Sequence, residues 1–304
     1  MRLSCLTVLV AGLMATTLSA HAECRLEAGP QRTVTRALDG ETLQLDDGSE
    51  VRLAGALAPR AYDAATSDGD WPAATAATAA LAALTVGRNV VLGTTGTAKR
   101  DRQNRHVAHV FVVEDGKETW VQGRMLADGH ARAYQLHDQR GCLDELLAHE
   151  QVARHAKLGI WNLDAYRVRP ALRTRDLDGM THRFAILTGR IAWVAPGRSV
   201  IALGFTPVAR RGYTLRRGVL VMIENRDREL LGSLGGDAQA LQGRNVEVRG
   251  WLEQRLGRPA GTWIMDISLS GMMTFTDPPA DVPATAEPAP VAKAEPPTVQ
   301  TISP

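Results

Sequence analysis

The chain has 304 residues, 35 Lys and Arg against 33 Asp and Glu, and a formal charge of +2. That near-neutral balance excludes a uniformly basic nucleic-acid-coating protein, and only the basic excess between residues 170 and 277 could give a local positive field. The length allows two domains of ordinary size.

The first residues carry Arg2, the apolar run LTVLVAGLM and the small-residue site Ser19-Ala20-His21-Ala22, the pattern of a secretory signal peptide over residues 1–22. An uncleaved anchor is the other reading, but the apolar run is shorter than the roughly 20 residues a bilayer span needs, and no later segment qualifies. The expectation is an exported protein, periplasmic or secreted, with no transmembrane segment in the mature chain. Cleavage would leave Cys24 and Cys142, which in an oxidising compartment suggest one disulfide, with two free buried thiols as the alternative. Neither cysteine has a partner at metal-ligand spacing, so zinc is not indicated.

From Arg32 to Leu57, three short runs rich in Val, Thr and Leu are broken by Asp39-Gly40 and Asp46-Asp47-Gly48, which predicts a three-stranded meander. WPAATAATAALAALTVG predicts a helix opened by Pro72 and stopped by Gly87. Strands are expected from Asn89 and from His106, then helices over Val121 to Ala131 and Cys142 to Leu158, the second ended by Gly159. Three strands, a helix, two strands and terminal helices fit a five-stranded barrel of the oligonucleotide/oligosaccharide-binding (OB) type, α+β overall and mainly β.

A linker over residues 166–181 then separates a domain spanning 23–165 from one spanning 182–277. In the latter, LTGRIAWVA, SVIALGF, GVLVMIE, NVEVRGWLEQ and TWIMDISLSGMMTF predict strands, and DRELLGSLGGDAQAL a helix. That order again suits an OB-like β-barrel. Its Arg210, Arg211, Arg216 and Arg217, around Tyr213, could line a groove that holds single strands by charge and stacking, or form an ordinary solvated loop. Residues 278–304 are rich in Pro and Ala, poor in large apolar residues, and expected to form a disordered tail.

Four blocks in order, ALDGETLQLDDGSEVRLAGALAP, RDRQNRHVAHVFV, MLADGHARAY and LLAHEQVARHAKLGIW, resemble the staphylococcal nuclease (thermonuclease) family over about residues 32 to 162. LQGRNVEVRGWLEQ is also similar to a domain appended to some bacterial nuclease-like exported proteins. The first resemblance implies a calcium-dependent phosphodiesterase, with carboxylates on the ion, a glutamate acting on the attacking water and two arginines on the phosphate.

Arg52 and Arg105 fall at the two phosphate arginines, and Glu41 at the first calcium carboxylate. Ala58 falls where the main chain would supply a carbonyl ligand. At the second calcium carboxylate stands Leu57, and Arg60 stands where the family has its glutamate. A guanidinium stays protonated and cannot act as a base. One carboxylate beside an added cation falls short of the six to eight oxygens calcium takes, so no cofactor is expected, or calcium if the nuclease reading holds. Arg52, Arg60 and Arg105 would instead form an anion pocket. Asp63, Asp68 and Asp70 are candidate replacements for the lost carboxylate.

The functional expectation is a non-catalytic, exported protein that binds nucleic acid, another polyanion or a protein partner through a degenerate nuclease site. An active exported nuclease with an altered metal site and an envelope scaffold are the alternatives. His106 and His109, three apart on one strand, face opposite sides and cannot share a metal. HEQVARH departs from the HExxH zinc spacing.

Overall fold

The computed structural model describes residues 24–63, 71–95, 99–135, 141–206, 218–224, 237–254, 261–268, 270–276 and 299–300. The first half runs β1 (Leu26–Ala37), β2 (Thr42–Leu45), β3 (Glu50–Leu53), β4 (Ala56–Leu57), α1 (Pro72–Thr85), β5 (Asn89–Thr94), β6 (Lys99–Arg100), β7 (His106–Glu114), β8 (Lys117–Trp120), α2 (Val121–Ala127), β9 (Arg132–Ala133) and α3 (Leu143–Ala156). The second runs β10 (Arg169–Pro170), β11 (Phe184–Arg190), β12 (Trp193–Pro196), β13 (Val200–Gly204), β14 (Gly218–Glu224), β15 (Asn245–Glu253), β16 (Thr262–Asp266), β17 (Met273–Phe275) and β18 (Val299–Gln300).

The protein is mainly β. Strands β1, β2, β3, β7 and β5 pair in that order, and β5 returns to β1, so five strands close into a ring. The expected meander supplies three of them. Closure depends on β1, which starts earlier than the alternating pattern suggests. Its first part pairs with β5 and its last part with β2, with register shifts between Ala28 and Gln31 and between Val34 and Arg36. Such bulges bend a strand so that its two ends can serve different neighbours. This is the arrangement expected of an OB-type domain.

Helix α1 begins at Pro72, where a missing N–H costs nothing, and buries Ala77, Leu81 and Thr85. Helix α2 ends sooner than expected, at Ala127. Gly129 takes a φ of 76° that most residues avoid, and the chain turns out of the helix there. Helix α3 ends at Ala156, with Lys157 rather than Gly159 in the first left-handed position (φ 52°). Cys24 and Cys142 are joined by a disulfide, tying the start of β1 to the N-terminus of α3.

The second sheet has the order β10, β11, β15, β16, β14, β13, β12, with β17 beside β15. The run LTGRIAWVA is two strands rather than one, because the chain turns a corner at Ile191 and Ala192. The N–H of Ile191 donates to Arg244 O and that of Ala192 to Gly204 O. Of the helix expected over DRELLGSLGGDAQAL, residues 238–241 form a single 3₁₀ turn, and residues 227–236 lie outside the described part. Residues 1–22, Asp68, Asp70, Arg210, Arg211, Tyr213, Arg216 and Arg217 also lie outside it. Within the expected tail, Val299 and Gln300 pair in parallel with Leu26 and Glu27 of β1, on the edge that β2 leaves uncovered.

In the segment expected to link the halves, Tyr166, Arg169, Ala171 and Leu177 are buried, and β10 joins the second sheet beside β11. One continuous apolar core spans both sheets. At their junction Tyr134 meets Phe184 (5.6 Å) and Trp251 (6.4 Å) edge to face, the geometry the ring quadrupole favours.

Of the two strand histidines, His106 is partly exposed and His109 is 2 % exposed. His109 packs on Trp120 at 5.5 Å, and its Nδ1 has no hydrogen-bond partner. Burial pushes its pKa from 6.5 down to about 3. The unfolded chain therefore takes up a proton below pH 6.5 that the folded protein refuses until about pH 3, so this contribution is complete above pH 6.5 and declines as the pH falls. Between pH 8 and pH 5 the loss from His109 is expected to be about 2 kcal/mol. Urea midpoints at the two pH values measure it, and His109→Phe, which fills the same space without titrating, should flatten the slope by that amount. An unchanged slope in the variant would refute the assignment. Burial also holds His106, His130 and His149 below their ordinary range, leaving a residual slope.

Candidate functional site

The residues singled out in the first half converge on one cavity. Strand β3 presents Arg52 opposite Thr42 of β2. Glu41 precedes β2 in a turn held by its own N–H, which donates to Asp39 Oδ1 at 2.8 Å. Gly40 lets this turn press against α1, because a Cβ there would lie 2.8 Å from the Cβ atoms of both Ala58 and Ala77. Arg105 closes the turn from Asp101, where Asn104 adopts a φ of 64° and Asp101 Oδ1 accepts from the main-chain N–H groups of Gln103 and Arg105. Arg60 follows β4 and Pro59.

These side chains, with Tyr62, Trp71 and Gln103, line a cavity of about 830 Å³. Arg60 Nη2 donates to Glu41 Oε1 at 2.7 Å, and Arg52 Nη2 lies 3.4 Å from the same oxygen. Glu41 Oε2 accepts from the N–H of Ala58 at 3.2 Å. Glu41 is 5 % exposed, so its carboxylate is buried and surrounded by donors. Burial alone would lower the Arg60 pKa, but Glu41, with a hydrogen bond to Tyr62, holds it above its ordinary value. Arg105 pairs with Asp101 (Nη2 to Oδ2, 2.6 Å) and donates to Thr42 Oγ1 at 3.2 Å. Burial disfavours the Asp101 anion, yet the hydrogen bonds from Arg105 keep its pKa below the usual carboxylate range. Arg52 Nε is buried without a partner.

Calcium does not fit this donor set. The ion takes six to eight oxygens, Leu57 is 1 % exposed and offers none, and the Glu41 carboxylate is already engaged by two guanidiniums and a main-chain N–H. Asp63 is not recruited in its place. Its Oδ2 accepts from the Arg60 N–H (3.1 Å) and from Tyr166 Oη (3.0 Å), and it faces a second cavity instead. Among the described residues, no group of three His, Cys, Asp or Glu side chains is placed to hold a metal.

Some participants carry no motif. Tyr62, 62 % exposed, and Trp71, the residue before α1, wall the cavity, and Trp251 of β15 brings its ring 5.8 Å from the Arg60 guanidinium carbon. The Trp-Pro pair at the helix start is a faint signal for Trp71; nothing in the spacing points to Trp251.

Residues 50–163 match the family model described as staphylococcal nuclease homologue. Its limits take in β3 through α3, with Arg52, Arg60 and Arg105, while Glu41 lies just before them on the same ring. No curated protein matches the chain. The matched part of the protein, residues 50–163, is a staphylococcal nuclease-like domain.

Proposed function

We propose that this nuclease-like protein is exported, does not hydrolyse phosphodiesters, and binds nucleic acid or another phosphate-bearing polyanion at Arg52, Arg60 and Arg105. One observation carries the reading. Arg60, standing where the family places its glutamate, donates to the carboxylate that would otherwise hold the metal. Loss of a base and occupation of a metal ligand come from the same substitution, and each alone would cost a nuclease most of its rate. Two phosphate arginines remain, and guanidinium forks grip phosphate oxygens by paired hydrogen bonds without any metal. The signal-like leader and the Cys24–Cys142 disulfide support export, to the periplasm or the medium.

A second reading, an envelope scaffold, is favoured by the carboxylates already facing these arginines, Glu41 for Arg52 and Arg60 and Asp101 for Arg105. Hydrolysis of single- and double-stranded DNA and RNA, with calcium, other divalent ions or chelator, separates the readings. The expected result is no metal-dependent cutting, together with retention on immobilised oligonucleotide. Metal-dependent cutting that disappears on Arg52→Ala, Arg105→Ala substitution would establish an active nuclease. Neither cutting nor retention would leave the scaffold.

A further inference from the structure

The second cavity, about 370 Å³, lies where the two sheets meet and is lined by residues of both halves, among them Asp63, Trp71, Arg132, Tyr166, Arg169 and Phe184. Two of its guanidiniums are poorly matched to their surroundings. Arg132 has a side chain 6 % exposed, sandwiched between the rings of Tyr166 (4.8 Å) and Phe184 (5.1 Å). It donates from Nη1 to Phe184 O at 2.9 Å, its nearest carboxylate oxygen is Asp63 Oδ2 at 4.0 Å, and its Nε is buried with no partner. Arg169, 8 % exposed, donates to the main-chain oxygens of Asp164, Ala165 and Arg167, and its Nε is likewise without a partner.

A buried cation is costly unless paired and hydrogen-bonded. Burial pushes both guanidiniums below their ordinary pKa, and in neither case do the nearby carboxylates make up the difference. Asp63 is already shared, its Oδ2 accepting from Tyr166 Oη and the Arg60 N–H and its main-chain oxygen accepting from Arg183 Nη1 at 2.7 Å. Asp164 is 77 % exposed and 3.9 Å from Arg169, so solvent screens it. Three arginines, Arg132, Arg169 and Arg183, thus line the cavity against two aspartates.

We infer that this cavity between the halves is a second ligand site, taking a small anion whose carboxylate or phosphate group is held by Arg132 and Arg169 where they line the cavity. The volume suits a single small molecule and not a polymer. The site is separate from the arginine cavity of the nuclease-like domain but shares a wall with it. Trp71 lines both, and its Nε1 donates to Tyr166 Oη at 2.7 Å. From there Tyr166 Oη reaches Asp63 Oδ2, which holds the Arg60 N–H, so the two cavities are joined by a chain of hydrogen bonds.

The test starts from full-length protein carrying Arg52→Ala and Arg105→Ala, which disables the first site without touching the second. Inorganic phosphate and acetate are titrated into it calorimetrically, with total ionic strength held by chloride. Saturable one-to-one binding of phosphate, of acetate or of both is expected, and which one binds names the group. Arg132→Gln should weaken it at least about tenfold, the effect of losing one charge-assisted contact. Because Arg132 also bridges the halves, Met180→Trp serves as an independent variant that fills the cavity while leaving every charge in place. The inference is overturned if neither anion binds saturably, or if binding survives both substitutions. Binding by wild-type protein that vanishes in the Arg52→Ala, Arg105→Ala background would also overturn it, while leaving the first site's reading intact.

Discussion

Replacing Arg249 by Ala is expected to destabilise the whole protein by about 3–5 kcal/mol, the cost of stranding a buried charge. Glu150, in α3, is 0 % exposed, and Arg249, in β15, is 2 % exposed. Arg249 Nη2 meets Glu150 Oε1 at 2.9 Å and Nη1 meets Oε2 at 3.1 Å, a two-pronged pairing of fork and carboxylate. The same guanidinium donates to Ala133 O and to Glu247 Oε1, and Glu247 in turn takes both Nη atoms of Arg154. Burial alone would lower the Arg249 pKa, but Glu150 and Glu247 hold it above its ordinary value. Truncation would leave the Glu150 carboxylate with the N–H of Ala133 and with Arg154 Nη1 at 3.6 Å, inside the core.

Because α3 belongs to the nuclease-like domain and β15 to the second sheet, the damage should appear in both. The urea midpoint read by tryptophan fluorescence should fall for the whole chain. The double variant Glu150→Gln, Arg249→Met removes both charges while keeping bulk, and should recover most of the loss, since a buried pair replaced by neutral groups is often close to neutral. A single Arg249→Ala variant within about 1 kcal/mol of wild type would mean that the network is not what fastens the halves.

That network also marks where sequence reasoning stopped. The ring strands were legible because Asp-Gly turns and apolar alternation are local signals, and the disulfide is suggested by Cys24 and Cys142 being the two cysteines beyond residues 1–22. Arg52, Glu41, Leu57, Arg60 and Arg105 were found through ordered blocks with fixed spacing, and the structure brings four of them around one cavity, with Leu57 buried beside it. What could not be read was which charge answers which. Glu150 and Arg249 are single charged residues, 99 positions apart, with no periodicity to join them. Arg132 sits in a two-residue strand whose neighbours gave no hint that Tyr166 of the linking segment and Phe184 of β11 would clasp it. The pairing of Arg60 with Glu41 was likewise invisible, though both residues were named, because the sequence gives types and order but not the direction a side chain takes. That pairing turns two substitutions in a motif into one closed arrangement, which calcium would have to break.

The anion-binding reading makes its sharpest claim through Arg52 and Arg105. Both residues line the cavity, and removing both as Arg52→Ala, Arg105→Ala should weaken binding of a single-stranded oligonucleotide about 100-fold, roughly tenfold for each lost phosphate contact. Measured over a series of salt concentrations, the slope of log affinity against log salt should become shallower by about two, since each phosphate-bound arginine displaces condensed counterions. The slope distinguishes a contact from a structural role, because an arginine that only braces the fold would change affinity without changing how many counterions are released. Arg52 is the sharper probe of the two, lying 3.4 Å from Glu41 while Arg105 spends its donors on Asp101 and Thr42 at closer range. Arg60→Glu should act more strongly than either single truncation, because it sets a second carboxylate against Glu41 where a cation now stands 2.7 Å away. If that variant bound the oligonucleotide as well as wild type, the cavity would not be the binding surface. If instead the double truncation left affinity and slope unchanged, the arginines would be serving Glu41 and Asp101 alone, and the scaffold reading would replace the binding one.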